Sequence, residues 1–346
     1  MLGVLFSLLA AGTFALNAAA ARRGVLTASV VQGLAITVPL GVPLFLAIAW
    51  MAGEAGRITA FPLEAVLWFA AAGVVHFVLG RYCNYTAAGA IGNNLAAPLL
   101  QCEVLVTLAL AMTVLGEQLT PLRLIGITLV LIGPSLVINR DAINQDAINR
   151  DAINQDAINQ DAGPAKDAAA QKPAFEPRYG EGYLFATLAA ITYGSSPILI
   201  GLGLKAAGTN AALAGGVVSY LSATAVVGLA LIVTRQTRSA YQVGNTALRW
   251  FVLAGVFVCL SHVFRYAALA LAPVSVVTSL QRLSSIFRIS FGWLINPEHE
   301  VLDRSVVLAT VVSMIGAIAL SISTDTVLAL APWPEWVRHA ARLHWP

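Results

Sequence analysis

The side chains of this sequence that could do chemistry are a few charged and polar residues inside long apolar runs. Glu103 lies near the middle of one run, and Arg282 lies at a similar depth in a later one. A charged side chain at the centre of a bilayer costs roughly 2.5–3.5 kcal/mol on insertion scales, so each should face a cavity or a partner. Glu103 is therefore either a protonatable site that couples proton movement to a substrate or half of a structural ion pair.

The run that contains Arg282 carries further polar side chains at helical spacing. Two neighbouring series follow the pattern i, i+3, i+4, i+7, which places each series on one face of a helix. The first series is Ser275, Thr278, Ser279 and Arg282, and the second is Gln281, Ser284, Ser285 and Arg288. Serines in membrane helices are often packing residues, but a polar sector with two arginines predicts the wall of a cavity.

The run that contains Glu103 begins with two asparagines. Asn94, Pro98 and Gln101 share one helical face, whereas Asn93 is expected to cap the helix at the membrane interface. Proline lacks a backbone N–H, so Pro98 leaves a carbonyl that could bind a ligand. We therefore expect Asn94 and Gln101 to line the same cavity as Glu103.

Histidine and arginine recur together towards the ends of two other runs. One run carries His76 and Arg81, and the other carries His262, Arg265 and Tyr266. These residues are candidates for substrate binding or proton transfer, since imidazole titrates near neutral pH. The alternative is structural: an arginine near the end of a run can extend to lipid headgroups, and a histidine can be a hydrogen-bonded packing residue.

The first and sixth runs contain further polar residues. Tyr193, followed by Ser195, Ser196 and Pro197, interrupts the sixth run, and Thr13 and Asn17 lie one helical turn apart in the first. These residues could complete a central cavity.

The charged residues inside the runs are mostly positive. Four arginines oppose one carboxylate, namely Arg81, Arg265, Arg282 and Arg288 against Glu103. The planar guanidinium fork binds carboxylates and phosphates. The charge balance therefore predicts an anionic or zwitterionic metabolite as the substrate.

The apolar runs themselves must position these residues. The sequence is 58% hydrophobic and 11% charged, against about 25% charged in soluble domains. Runs of about 20 residues span a bilayer as helices, which predicts an all-α integral membrane protein with ten transmembrane helices. We place them near 2–21, 28–51, 64–83, 92–115 and 121–139, and near 181–204, 210–234, 247–271, 273–295 and 303–323.

Two functional classes receive no support from the composition. The net charge of +3 is small and the basic residues are scattered, so nucleic acid is not expected as a partner. The three cysteines, Cys83, Cys102 and Cys259, lack metal-ligand spacing, and we expect neither a metal nor another cofactor.

The two sets of runs resemble each other. Tyr85 aligns with Tyr266, Leu99 with Leu280 and Glu117 with Glu298, each pair at a separation of 181 residues. Five spans per repeat is an odd number, so residues 1–139 and 181–323 should be two inverted five-helix repeats. The same alignment pairs Gln101 with Arg282. We therefore predict that Glu103 and Arg282 approach within salt-bridge or water-bridged distance.

Two segments lie outside the repeats. Residues 140–180 contain the tandem DAINQ and DAINR repeats, whose period of five matches neither helix nor strand, which predicts a disordered linker. Residues 324–346 are rich in tryptophan and basic residues and predict a tail that lies at the membrane interface.

The segment LGEQLTPLRLIGITLVLIG (residues 115–133) resembles the end of a half-domain in the drug/metabolite transporter superfamily, of the EamA-like type. The stretches AAGAIGNNLAAPLLQCEVLVTLAL and ALAPVSVVTSLQRLSSIFRISF resemble the fourth and ninth helices of that family. The second half departs from the pattern at Pro297, where the family has glycine before the glutamate. The resemblance implies a ten-helix permease with both termini inside. The loop charges, eleven Lys and Arg against five, favour both termini outside, so the orientation stays open.

These features together predict a function. We expect a multi-pass protein of the plasma (inner) membrane, a secondary transporter that moves a small organic metabolite by alternating access, with proton coupling as an option. No GxxxxGK[ST] loop occurs, so ATP drive within this chain is not expected. The alternatives are a membrane-embedded enzyme that acts on a lipid-linked substrate and a helical scaffold that transports nothing. No HExxH or Asp-rich motif supports the enzyme, and we expect no enzymatic activity.

Overall fold

The computed structural model describes residues 2–115, 120–122, 124–132, 136, 177–208, 211–271, 277, 280–281, 283–296, 298, 304–322, 324–341 and 343. Of these residues 89% are helical and none lies in a strand, so the predicted all-α class is confirmed. Nearly all of the predicted linker 140–180 lies outside the described residues.

The first half is built from four long helical stretches. Its helices are α1 (Leu2–Val25), α2 (Val30–Met51), α3 (Leu63–Gly73), a π-helical segment (Val74–Gly80), α4 (Arg81–Leu100) and α5 (Glu103–Leu115). Residues 124–132 are helical too. The helix that begins at α3 continues well past the predicted end of the third run at residue 83. It turns at Gly92, whose φ of 80° and ψ of 166° suit a residue without a Cβ.

The second half repeats this succession of long helices. It contains α6 (Tyr179–Ala207), α7 (Ala212–Val233), the short α8 (Thr237–Tyr241), α9 (Asn245–Leu271), α10 (Ser284–Ile295) and α11 (Arg304–Ser321). The tail forms α12 (Thr324–Ala329) and α13 (Glu335–Ala341), which contain no buried residue. Helix α6 passes unbroken through the polar residues Tyr193–Pro197, and the Ser195 hydroxyl bonds to the Ile191 carbonyl inside the same helix.

Six helices in the described ranges are long and apolar enough to cross a membrane: Leu2–Val25, Val30–Met51, Leu63–Leu100, Tyr179–Ala207, Ala212–Val233 and Asn245–Leu269. Three further apolar helices are shorter. Many large apolar side chains on their outer faces are exposed, such as Leu67, Leu79 and Leu229, as expected where helices contact lipid.

Helices α2 and α7 run antiparallel. At the start of α2, the Gln32 amide donates to the carbonyls of Ser239 and Gln242, both at 3.0 Å, just beyond the end of α7. At the other end of α2, a Glu54 carboxylate oxygen accepts from the backbone N–H groups of Leu213 at 2.8 Å and Ala214 at 3.2 Å. The second contact caps the first turn of α7, where backbone N–H groups have no partner inside the helix.

Two phenylalanines at equivalent positions of the two halves pack in the same way. Phe69 of α3 lies against Gly203 and Gly215 on α6 and α7, where an added Cβ would meet the ring at 2.8 and 2.5 Å. Phe251 of α9 lies against Gly24 of α1 and Gly33 of α2, where an added Cβ would meet the ring at 2.4 and 2.8 Å. Glycine thus allows these helices to approach closely, and the packing of one half on the other is reciprocal.

A tight turn precedes Glu103 at the start of α5, and another precedes Ser284 at the start of α10. In the first half, Cys102 N–H bonds to the Leu99 carbonyl at 3.0 Å. In the second half, Leu283 N–H bonds to the Leu280 carbonyl at 3.1 Å. These i to i+3 bonds are tighter than α-helical ones, and they occur at positions 181 residues apart.

Candidate functional site

A cavity lies inside the bundle, and both halves contribute to its wall. Seven of the residues singled out in the sequence line it: His76, Glu103, Tyr193, His262, Arg265, Gln281 and Ser284. The remaining described lining residues are Ala10, Ala11, Phe14 and Ser261. Folding therefore brings residues from distant parts of the chain into one polar site.

Two histidines, one from each half, meet in the cavity wall. The ring centroids of His76 and His262 are 4.7 Å apart, edge to face. His76 also lies 4.6 Å from the Tyr193 ring, and His262 lies 4.8 Å from the Phe77 ring. Both imidazoles are buried. The Nδ1 atom of His76 and the Nε2 atom of His262 find no hydrogen-bond partner among the described residues, which leaves them available to water or a ligand.

The π-helical segment Val74–Gly80 positions His76. A π-helical turn widens the helix by one residue and is frequent at functional sites. Gly80 at its end lies under the Tyr193 ring, which an added Cβ would meet at 2.6 Å. The close approach of α6 at this point brings Tyr193 to the histidine pair.

Arg81 lies behind the cavity wall and does not line it. Its guanidinium donates to the hydroxyls of Thr37 at 3.3 Å and Tyr220 at 3.4 Å and lies over the Phe77 ring at 5.3 Å. Only 2% of its surface is exposed, so the alternative that Arg81 extends to lipid headgroups is wrong. Arg265, the arginine near the end of the other run, lines the cavity.

The other predicted residues are buried around the cavity. The Gln101 amide, at the end of α4, donates to the Ser285 hydroxyl of α10 and so joins these two helices. Arg288 is buried over the Phe14 ring at 4.9 Å. Asn94 is buried without lining the cavity, and Tyr266 is buried with its hydroxyl 3.3 Å from that of Ser219.

Glu103 begins α5, one turn before Thr107. A carboxylate is favourable at this position because the N-terminus of a helix carries partial positive charge. Its backbone carbonyl lies against Gly194 of α6, and the Thr107 hydroxyl donates to the Gly194 carbonyl at 2.8 Å. Arg282 lies outside the described residues, so the predicted approach of Glu103 and Arg282 stays a prediction.

Some lining residues were not expected from the sequence. Helix α1 contributes Ala10, Ala11 and Phe14, whereas Thr13 bonds to a carbonyl of its own helix, that of Leu9, at 2.6 Å. We expected Thr13 to help complete the cavity, but it does not line it. Ser261 directly precedes His262 and could have been found from that neighbour, but an alanine face carries no sequence signal for a cavity.

Asn93 is also placed differently from the expectation of an interfacial cap. Its side chain is buried, and the amide donates to the Ala18 carbonyl of α1 at 2.8 Å. This asparagine therefore joins two helices inside the bundle.

Among the described residues, the cavity wall combines one carboxylate, one guanidinium, two imidazoles, three hydroxyls and one amide. Such a wall suits a small polar or charged molecule, because charged groups in a low-dielectric site need complementary partners. In the described part of the chain, no group of three histidine, cysteine, aspartate or glutamate side chains could hold a metal ion.

The apolar helices around a polar cavity define a multi-pass membrane protein. Residues 1–139 match the EamA-like transporter family. This match confirms the resemblance and identifies the segment as part of the drug/metabolite transporter superfamily, whose members are membrane transporters of small molecules.

Comparison with solved structures supports the fold at low sequence identity. One of them, "Crystal structure of protein", covers 95% of this chain and 96% of its own length, with a TM-score of 0.54 and 17% sequence identity. At this identity the likeness concerns the fold alone. No curated protein matches the chain.

Proposed function

We propose that this protein is a secondary transporter of the plasma membrane that moves a small anionic or zwitterionic metabolite by alternating access. The observation that carries the proposal is the polar cavity, whose wall holds Glu103 and Arg265 together with one histidine from each half. The family of residues 1–139 supports transport of a small molecule.

Alternating access follows from an inverted repeat, in which two similar halves are related by an axis in the membrane plane. The antiparallel run of α2 and α7, the reciprocal packing of Phe69 and Phe251, and the turns at Cys102 and Leu283 all support that relation. A site between two such halves can open to either side of the membrane when one half rocks against the other.

The substrate class follows from the charges around the cavity. Arg265 lines it, and Arg288 is buried next to the lining residue Phe14. A guanidinium binds a carboxylate or phosphate through two parallel hydrogen bonds. Glu103 in the same wall can hold a substrate ammonium group or exchange a proton, so a zwitterion and a proton-coupled anion both suit the site.

Purified protein in proteoliposomes tests this function. A thermal-shift screen of carboxylates, phosphates and amino-containing acids first selects ligands, and uptake of each is then measured with and without a proton gradient. We expect saturable uptake of an anionic or zwitterionic compound. Turnover of a lipid-linked substrate without uptake would favour an enzyme, and neither uptake nor turnover would favour a scaffold.

The variant Arg265→Gln tests the substrate class. Removal of a buried charge-assisted contact costs about 2 kcal/mol or more, so the Kd of the selected ligand should rise roughly thirtyfold. Arg249→Gln, at an exposed arginine of the same helix α9, is the matched control and should bind normally. Equal loss of binding and of protein abundance in Arg265→Gln would indicate a structural role instead.

A further inference from the structure

One end of the bundle is closed by side chains that bridge helices. We call this end the first face: α1, α7 and α10 end there, and α2, α6 and α9 begin there. The contacts described above fix this grouping, since Gln32 joins the start of α2 to the end of α7. In addition, the Arg178 N–H at the start of α6 bonds to the Ala90 carbonyl at 2.9 Å.

Four side chains form what we call the clasp: Arg22, Arg23, Asn93 and Asn296. The Asn93 amide donates to the Ala18 carbonyl at 2.8 Å, and the Asn296 amide donates to the Ala19 carbonyl at 3.0 Å. Arg22 donates to the Ala88 carbonyl, and Arg23 donates to the Ile295 carbonyl at 3.0 Å. The bonds of Asn93 and Arg22 join α1 to the region of the turn within α4. The bonds of Asn296 and Arg23 join α1 to the end of α10.

Three of the four clasp side chains are buried although they are polar, and Arg23 is half-buried. Arg22 and Asn296 have no exposed surface, and Asn93 has 2%. The α1 residues Ala18–Ala21 are each at most 2% exposed, because small side chains let α4 and α10 approach the backbone closely. Buried side-chain donors in this layer need the carbonyls that they contact.

The clasp lies next to the cavity along three helices. On α1, Phe14 lines the cavity and Ala18 is one helical turn, about 6 Å, further on. On α10, Ser284 lines the cavity and Asn296 follows at the end of the helix. In the third case, Asn93 of α4 precedes Glu103, which lines the cavity, in the chain. The clasp is thus the layer between the cavity and the first face.

We propose that Asn93 and Asn296, supported by Arg22 and Arg23, are the gate that closes the cavity towards the first face. This inference rests on the proposed transport function, because a gate requires a cavity that opens to both sides. Amide-to-carbonyl bonds suit this role: a few of them hold three helices together, and each can be exchanged for water without leaving a buried charge.

Accessibility of a cavity cysteine tests the gate without any substrate. Ser284→Cys serves as the reporter in a protein whose native cysteines, Cys83, Cys102 and Cys259, are replaced by alanine. A membrane-impermeant maleimide is applied to membrane vesicles of both orientations. Ser239→Cys and Thr59→Cys, exposed at the first and the opposite face respectively, report which face the reagent reaches.

The double variant Asn93→Ala/Asn296→Ala should increase the rate of reporter labelling from the first face about tenfold, as expected when two hydrogen bonds that favour the closed state are lost. Ser222→Ala is the matched control, since it removes a side-chain bond to a carbonyl of another helix, from the Ser222 hydroxyl to Ala70 at 3.1 Å, away from the clasp. It should leave the rate unchanged.

A disulfide between Ala18→Cys and Asn93→Cys supplies the opposite change, because a covalent bond between α1 and α4 replaces the Asn93 amide bond. It should suppress labelling from the first face below the uncross-linked rate, and reduction should restore it. Equal labelling from that face in the alanine variant, the cross-linked protein and the Ser222→Ala control overturns the gate. A lack of uptake by the unaltered protein in proteoliposomes, with these labelling changes present, would overturn the proposed function but not the closure of the cavity by the clasp.

Discussion

At the scale of single residues, His76 and His262 bring one imidazole from each half into contact inside the cavity. Glu103 and Arg265 supply one charge of each sign to the same wall. The Arg81 guanidinium, in contrast, donates hydrogen bonds to the hydroxyls of Thr37 and Tyr220 and stabilises the packing behind the wall. We therefore propose that Glu103, Arg265 and the two histidines carry out the chemistry of this site.

Glu103→Gln tests proton coupling, since it removes the titratable charge and keeps the shape of the side chain. If Glu103 carries the coupled proton, uptake in proteoliposomes should lose its response to a proton gradient, while exchange of substrate without a gradient should persist. Glu64→Gln, at an exposed carboxylate of α3 that accepts a bond from the Trp68 indole at 3.3 Å, is the control. A gradient response retained in Glu103→Gln would show that the coupling group lies elsewhere.

At the scale of secondary-structure elements, close packing of helices on glycine decides where the cavity residues lie. Gly194 of α6 touches the Glu103 carbonyl of α5, and Gly73 of α3 touches the Ser219 carbonyl of α7; added Cβ atoms would lie 2.3 and 2.0 Å from these oxygens. A backbone contact of this kind leaves no flexible side chain that could move aside. The distance between α5 and α6 is therefore set by Gly194.

Gly194→Ala should both destabilise the protein and displace Glu103. Overpacking of this kind costs about 1–3 kcal/mol, so the Tm in detergent should fall and substrate binding should weaken. Gly201→Ala on the same helix has no neighbouring atom within 4 Å of the new Cβ and should gain about 0.5–1 kcal/mol from helix propensity. Similar Tm values for the two variants would contradict the packing argument.

At the scale of the whole molecule, the two halves are held together by contacts between helices. Helix α9 packs along α1, α6 packs along the helix formed by α3 and α4, and α7 packs along α2. Phe6 and Phe264 stack at 6.1 Å, and the Ser261 hydroxyl bonds to the Ala10 carbonyl at 2.8 Å. These contacts join the halves without the segment that connects them in sequence.

Deletion of residues 141–160, which contain four of the five-residue repeats, should leave uptake and Tm unchanged. The remaining linker still spans more than a dozen residues. We predict that it is disordered, and a flexible chain of that length closes a loop at small entropic cost. Replacement of the same residues by a Gly/Ser segment of equal length is the control for linker length. Loss of uptake in both variants at unchanged Tm would assign a function to the repeats.

The sequence by itself determined the class of the protein, because hydrophobicity and bilayer thickness act locally on every 20-residue run. It also singled out most of the cavity wall, including Glu103, His76, His262 and Arg265, since polar side chains in a membrane helix are costly and therefore functional candidates. The likeness of the two halves could be read from the constant separation of residues such as Tyr85 and Tyr266.

Only the tertiary structure decided which of these polar residues share the cavity. Arg81 and Arg265 look alike in the sequence, yet Arg265 lines the cavity and Arg81 lies behind it. Asn93 looked like a surface cap but joins α4 to α1. The reason is physical: the rotation of each helix about its axis depends on close contacts with helices far away in the chain, such as those of Phe69 and Phe251 with paired glycines, and hydropathy along a single run does not encode that rotation.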